Sequence, residues 1–259
     1  MTLHREDTVD SSPSAPRKIA LLSDTHGNLP AFEAVLEEVA AEGVDETWCL
    51  GDLVGYGAQP DECVALAAER CDLCLTGNHD LVVLDELQMS SFSSNAAAAA
   101  DWTRRRIGSE TLEFLRRLAP EDLTREIALY HASPRDPVWE YVLSTLLADL
   151  CLDEMEARVG AIGHTHVALF FHRENGGTAV GAQTPAGTEV DLSKGEWLIN
   201  PGSVGQPRDG DPRAAWLLLD LQGWTATWRR TEYPIDSAAA AIREAGLPAA
   251  LADRLYYGH

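Results

Sequence analysis

The sequence predicts an α/β protein of α+β character, in which two mixed β-sheets are flanked by helices. Two patterns and the composition predict it. The first third alternates short apolar runs with stretches of helical periodicity, and each run breaks at a polar, glycine-containing loop. The second half is a series of short β-like runs punctuated by glycine and proline. A chain of 259 residues with 45% hydrophobic and 24% charged residues can bury a substantial core, and it lies outside the disordered, collagen-like and disulfide-scaffold classes.

Lys18-Ile-Ala-Leu-Leu-Ser23 has the apolar run of a buried parallel strand. It ends at Asp24-Thr-His26-Gly27-Asn28, and Leu29, Phe32, Val35, Leu36 and Val39 then recur at helical spacing, predicting a helix over 29–42. The pattern repeats with a strand at Thr47–Leu50, a glycine-rich loop over 51–59 and a helix over 60–70 with Pro60 at its start. Leu73–Leu75 predicts a third strand, which ends at Gly77-Asn78-His79-Asp80. The alanine-rich stretch 93–118 predicts helix, with Arg104, Arg105 and Arg106 as a solvated face. Further strands are expected at 127–130, 159–162, 168–171, 197–199, 215–219 and 225–228, with a hairpin series around 175–187 and a closing helix over 237–255. No linker composition or fixed-period repeat divides residues 17–259, which are expected to form one domain. Met1–Pro16 is polar, lacks the apolar core of a secretory leader, and is expected to be a disordered tail.

Lysine plus arginine number 20 and aspartate plus glutamate 41, a formal net charge of -21. A field of that sign repels long polyanions, so no long nucleic acid is expected as a resident partner. No run reaches the ~18 to 20 apolar residues of a membrane span. The five cysteines, Cys49, Cys63, Cys71, Cys74 and Cys151, are an odd set among apolar neighbours, which fits buried thiols in a cytoplasmic protein. The oligomeric state is not legible, and a homo-oligomer stays open.

Five of the eight histidines, His26, His79, His131, His164 and His166, fall beside predicted strand ends or in glycine-bounded loops. Asp24, Asp52, Asn78 and Asp80 share those loops. In open α/β sheets ligands bind at such strand ends. A mixed nitrogen and oxygen donor set suits manganese, iron, zinc, cobalt or nickel better than calcium or magnesium alone. There are more donors than one ion needs. Two ions sharing a carboxylate, ~3.5–4 Å apart, would use such a set for displacement at phosphorus.

In order along the chain, Asp24-x-His26, Gly51-Asp52, Gly77-Asn78-His79-Asp80, His131 and Gly163-His164-x-His166 resemble the five signature blocks of the calcineurin-like metallophosphoesterases. The resemblance spans Lys18 to about Leu221. His131-Ala-Ser-Pro134 and Asn200-Pro-Gly-Ser203 resemble loops of the compact prokaryotic phosphodiesterase branch. It implies a four-layer αββα sandwich and a dinuclear centre that hydrolyses small phosphodiesters or phosphomonoesters, with a hydroxide held between two divalent or trivalent ions attacking phosphorus in line. Asp24, His26 and His166 would hold one ion, Asn78, His131 and His164 the other, and Asp52 would bridge. His79 would stabilise phosphoryl oxygens or protonate the leaving alkoxide, a task for a histidine that titrates near neutrality. Asp80 would orient His79 through its other ring nitrogen, or serve as a helix N-terminal acid. Asn28 would contact substrate or an ordered water. Arg208, in Gln206-Pro-Arg-Asp-Gly210, would either bind phosphate or stay in an exposed turn.

The family's protein phosphatases follow Gly-Asp with an Asp-Arg pair, whereas this chain has Gly55-Tyr56 there. That departure argues against protein phosphatase and symmetrical dinucleoside tetraphosphatase activity. The alternatives kept beside the phosphodiesterase are a phosphoprotein or nucleotide phosphatase of this fold and a non-catalytic protein-binding scaffold.

Overall fold

A computed structural model describes residues 17–174 and 176–259, so the expected tail over 1–16 lies outside the described residues. The N-terminal part runs β1 (Lys18–Leu22), α1 (Leu29–Glu42), β2 (Glu46–Cys49), α2 (Pro60–Arg70), β3 (Leu73–Cys74), α3 (Asn78–Val83), α4 (Ser94–Arg104) and α5 (Ser109–Leu115). There follow β4 (Glu121–Asp122), β5 (Ala128–Tyr130), α6 (Thr145–Glu154), β6 (Val159–Ala161), β7 (Ala168–Arg173), β8 (Val180–Gln183), β9 (Glu189–Asp191), β10 (Glu196–Pro201), β11 (Ala214–Asp220) and β12 (Thr225–Thr231). The closing helix expected over 237–255 is instead two helices, α7 (Ile235–Glu244) and α8 (Ala249–Asp253), parted at 245–248 where Pro248 starts the second.

The strands form two six-stranded sheets, ordered β3-β2-β1-β11-β12-β9 and β4-β5-β6-β10-β7-β8. Each is mixed. β1, β2 and β3 pair in parallel while β1 pairs antiparallel with β11, and β5, β6 and β10 are parallel while β10 pairs antiparallel with β7.

The period-2 alternation of β1 shows how the layers are sorted. Ile19 and Leu21 face the second sheet, in a core with Trp48, Leu129, Val159, Ile199 and Trp228. Ala20 and Leu22 face the other way, against Phe32, Val35 and Val39 of α1 and Ala239 and Ile242 of α7. Behind the second sheet, Ala128, Tyr130 and Leu198 pack on Ala148, Cys151 and Leu152 of α6. The result is the four-layer αββα sandwich. At ~25 cal/mol per Å² of buried apolar surface, each fully buried leucine or isoleucine in these layers contributes about 1.5–3 kcal/mol.

Three other local expectations need correction. The helix over 93–118 is two helices, because the chain turns at Arg105–Gly108 and Asp61 accepts from Gly108 N and Thr111 Oγ1 to start α5 afresh. Arg104 is not a solvated residue: it donates to the Val82 carbonyl and pairs with Asp85 at 2.8 Å. Helix α6 escaped the periodicity argument because Leu146 and Leu150 point to solvent, so its apolar residues do not form one stripe. Among the described residues, no helix is long and apolar enough to cross a membrane.

Candidate metal centre

The parallel strands β1, β2, β3, β5 and β6 end on one side of the sandwich, and the five loops that leave them converge there. The loops are knitted by main-chain bonds: Asp24 N to Gly51 O (3.0 Å), His26 N to Asp52 O (2.9 Å) and Gly163 N to His131 O (2.7 Å). Asp24, His26, Asp52, His164 and His166 all have φ between 51° and 62°. Left-handed backbone at residues other than glycine costs energy and concentrates at functional sites, where the surroundings over-determine it.

Two overlapping donor groups result. Asp24, His26, Asp52 and His166 form one; Asp52, His131 and His164 form the other, so Asp52 belongs to both. Every member is at most 2% exposed. Asn78 joins the second group, its Oδ1 3.3 Å from His131 Nε2.

The imidazole tautomers follow from their outer partners. His26 Nδ1 lies 3.0 Å from Val54 O, His131 Nδ1 2.8 Å from Leu50 O, and His166 Nδ1 2.7 Å from Gln206 O. A carbonyl only accepts, so each Nδ1 carries the proton and each Nε2 presents a lone pair to the centre. His26 Nε2 and His166 Nε2 face each other at 3.0 Å. His164 is turned the other way, with Nε2 3.2 Å from Trp139 O.

The carboxylates follow the same logic. Asp24 Oδ2 accepts from His164 N at 3.1 Å, and Asp52 Oδ1 from His79 N at 2.8 Å. Their other oxygens, Asp24 Oδ1 and Asp52 Oδ2, are buried without a donor. Asp52 Oδ2 stands 3.6 Å from both His26 Nε2 and His131 Nε2. Lone pairs converging in a dry site repel one another unless a cation lies among them, and the donor set therefore fits transition-metal ions.

Burial pushes the Asp24 carboxyl up to about 7, against the pull of His131. Burial, then the neighbouring Asp80, raises Asp52. Desolvation holds His26, His79, His164 and His166 well below the ordinary imidazole range. The His79 ring is buried against His26, Tyr56 and Phe92, surroundings that favour its neutral form. His79 Nδ1 is buried without a partner.

Of the two roles expected of Asp80, the helix N-terminal acid is the one seen: in the first turn of α3, its carboxylate accepts from Gly77 N (2.9 Å) and also from Val54 N (3.1 Å) and Leu53 N (3.4 Å), with no hydrogen bond to the His79 ring. It clamps the second and third loops together, because their N–H groups have no strand partner there. Asn28 is likewise occupied: Oδ1 accepts from Ala31 N to cap α1, and Nδ2 donates to Gly205 O at 2.8 Å. Both ends thus hold the first loop in place.

Asn200 and Ser203 have a framing role that the motif alone does not reveal. Asn200 Nδ2 donates to Gly163 O and Thr165 Oγ1, and Ser203 Oγ donates to Asp24 O. Gly77 permits the close approach of the loops, since a Cβ there would lie 2.1 Å from Asp52 Oδ1.

Comparison with known proteins decides the family. Residues 18–223 match the calcineurin-like phosphoesterase superfamily domain. The chain belongs to this family. This calcineurin-like chain is 36% identical over 245 residues to an uncharacterized protein of Methanocaldococcus jannaschii, a match covering 93% of the chain and 98% of that relative. It is 37% identical to a metallophosphoesterase from Sphaerobacter thermophilus whose crystal structure superimposes with a TM-score of 0.86, covering 94% of this chain and 100% of that one. A hypothetical protein from Pyrococcus horikoshii shares the fold, with a TM-score of 0.74 at 20% identity and coverage of 93% and 98%.

Proposed function

We propose that the protein is a phosphoesterase that holds two metal ions and hydrolyses small phosphodiesters or phosphomonoesters. The observation that carries this is Asp52. One of its oxygens is spent on His79 N, and the other, buried and without a donor, stands 3.6 Å from an imidazole lone pair of each donor group. Asp24, His26 and His166 would hold one ion, Asn78, His131 and His164 the second, with Asp52 between them. Manganese, iron, zinc, cobalt and nickel all suit these donors.

When bound, such ions lower the pKa of water and offset charge developing at phosphorus. The chain supplies the rest. His79, whose Nδ1 is buried without a partner, would donate a ring N–H to a phosphoryl oxygen, and the negative charge of a bound ester, by favouring the imidazolium, would let it protonate the departing oxygen. The Arg208 guanidinium lies 5.6 Å from the Tyr56 ring centroid, beside His79, and supplies the positive charge that Gly55-Tyr56 leaves out of the second loop. The five free cysteines are consistent with a cytoplasmic protein acting on a soluble ester.

Protein loaded with Mn²⁺ is expected to hydrolyse an aryl phosphodiester, and Asp52→Asn to lower the rate at least ~100-fold. Inactivity towards mono- and diesters with every one of the five metals would overturn the proposal.

A further inference from the structure

Four aromatic side chains stand over the metal centre. The Tyr56 ring lies 4.4 Å from the His79 ring and 4.7 Å from His26, and Phe92 lies 4.5 Å from His79 on another side. Trp139 packs edge-on against Phe92 at 5.7 Å, and Tyr141 covers His164 at 4.0 Å. Tyr56 has a left-handed backbone (φ 60°) between Gly55 and Gly57, an unfavourable state for a bulky residue, held where its ring meets the site.

Trp139 and Tyr141 belong to the connection between β5 and α6, which contains no helix or strand, and Trp139 O is the partner of His164 Nε2. The connection is therefore tied to the centre through a candidate metal ligand. Tyr141 nonetheless remains 45% exposed, so one ring face rests on His164 while much of the side chain faces solvent.

Arg254 and Arg208 both lie near these rings, and the Arg208 guanidinium is the one over the Tyr56 ring. Its Nη2 donates to Gln206 Oε1 at 2.9 Å, and its Nε is buried without a partner. The loop beneath it is pinned by the next residue: Asp209 accepts from Ala168 N at 3.1 Å and pairs with Arg230, whose side chain is 3% exposed. A guanidinium on a fixed loop suits a phosphate, and a half-exposed ring at the same mouth suits a planar group attached to it.

Resting on the phosphoesterase assignment above, we infer that the preferred substrates are phosphate esters bearing a planar aromatic group. Tyr141 and Trp139 receive that group by stacking, while Arg208 holds the phosphate. Hydrolysis then adds water across the P–O bond: the phosphoryl group keeps the water oxygen, and the aromatic-bearing alcohol or phenol leaves with a proton. Simple alkyl or polyol esters would leave the exposed face of Tyr141 without a partner.

The test is calorimetric binding to the full chain loaded with Mn²⁺, using adenosine 5′-monophosphate, phenyl phosphate and glycerol phosphate, which differ in the group attached to the phosphate. Stacking of a base on an aromatic side chain corresponds to roughly 5- to 150-fold in affinity. At least one aromatic ester is expected to bind about 10-fold or more tightly than glycerol phosphate. The tighter of the two distinguishes a nucleobase site from an aryl site. In Tyr141→Ala and Trp139→Ala the ratio should fall towards one, while Tyr141→Phe, which keeps the ring, should retain it. Arg208→Gln should weaken all three alike. Equal affinities in the wild type, or a ratio that survives both alanine variants, would overturn the inference. A protein that hydrolyses esters without preferring aromatic ones sinks this inference alone, whereas one that hydrolyses none sinks the assignment beneath it.

Discussion

His26 Nε2 and His166 Nε2 face each other across 3.0 Å, each with its opposite ring nitrogen bonded to a main-chain carbonyl. Neither nitrogen has a proton to offer the other while both rings are neutral, and burial keeps them neutral. The contact is therefore repulsive in the bare protein and becomes favourable around a cation.

Metal should accordingly stabilise the fold. At a free concentration 100-fold above Kd, a ligand that binds only the native state adds about 2.7 kcal/mol. For a chain of this size that corresponds to a rise in Tm of roughly 5–10 °C. Differential scanning fluorimetry with Mn²⁺ or Zn²⁺ should show this rise, EDTA should reverse it, and His166→Ala should lose most of it. An unchanged Tm with every divalent metal would contradict a cation among these donors.

The same site predicts how stability varies with pH. An unfolded aspartate titrates near ~3.9, while burial pushes Asp24 up to about 7. The metal-free native state thus keeps a proton that the unfolded chain has already released, and this stability is lost as pH rises through about 7. The depressed histidines act in the opposite sense: their contribution is present above the ordinary imidazole value of ~6.5 and fades as pH falls below it. Four histidines outweigh one carboxyl between about pH 4 and 7, so the metal-free Tm should rise over that range and level off above about pH 7. Bound metal requires neutral imidazoles and ionised carboxylates, so the Tm of the metal-loaded protein should climb more steeply over the same range. A metal-free Tm that falls as pH rises from about 5 to about 7 would refute the neutral buried histidines.

Much of this was legible in the sequence. The order Asp24, His26, Asp52, Asn78, His131, His164, His166 could be read because each residue follows an apolar run whose strand end the fold must place on one side. Helix α1 was readable to the residue because a single stripe, Phe32, Val35, Leu36 and Val39, faces β1. What stayed hidden were the acceptors that the loops require. Asp80 and Asn28 resemble catalytic polar residues when only their neighbours are known. Their roles are set by the N–H groups of Leu53, Val54 and Gly77, and by Ala31 N and Gly205 O, brought within reach only by tertiary contact. The aromatic wall was hidden for a similar reason, since Tyr56, Phe92, Trp139 and Tyr141 come from three separate loops.

Asp80→Ala tests that reassignment. It would leave three buried N–H groups without an acceptor, and an unsatisfied buried donor costs about 1–3 kcal/mol. A loss of about 2–4 kcal/mol in urea unfolding is expected, with Asp80→Asn, which keeps one acceptor oxygen, losing less. If Asp80 instead tuned only the His79 ring, Asp80→Ala would alter the pH profile of hydrolysis and leave the unfolding midpoint in place.

The acidic surface sets the last prediction. A net charge of -21 repels an approaching phosphate ester, whereas the metal ions and Arg208 attract it only over the final ångströms. Screening separates these contributions, because the Debye length falls from ~30 Å at 0.01 M salt to ~8 Å at 0.15 M. The long-range repulsion is removed over that range, and the short contacts inside the buried site are screened much less. Over it, kcat/KM should rise, more steeply for a dianionic monoester than for a monoanionic diester, while kcat stays nearly constant. The charge on the substrate is the internal control: equal slopes for the two esters would show that salt acts on the protein rather than on encounter. A falling profile would mean that the mouth of the site is positive at long range despite the acidic surface around it.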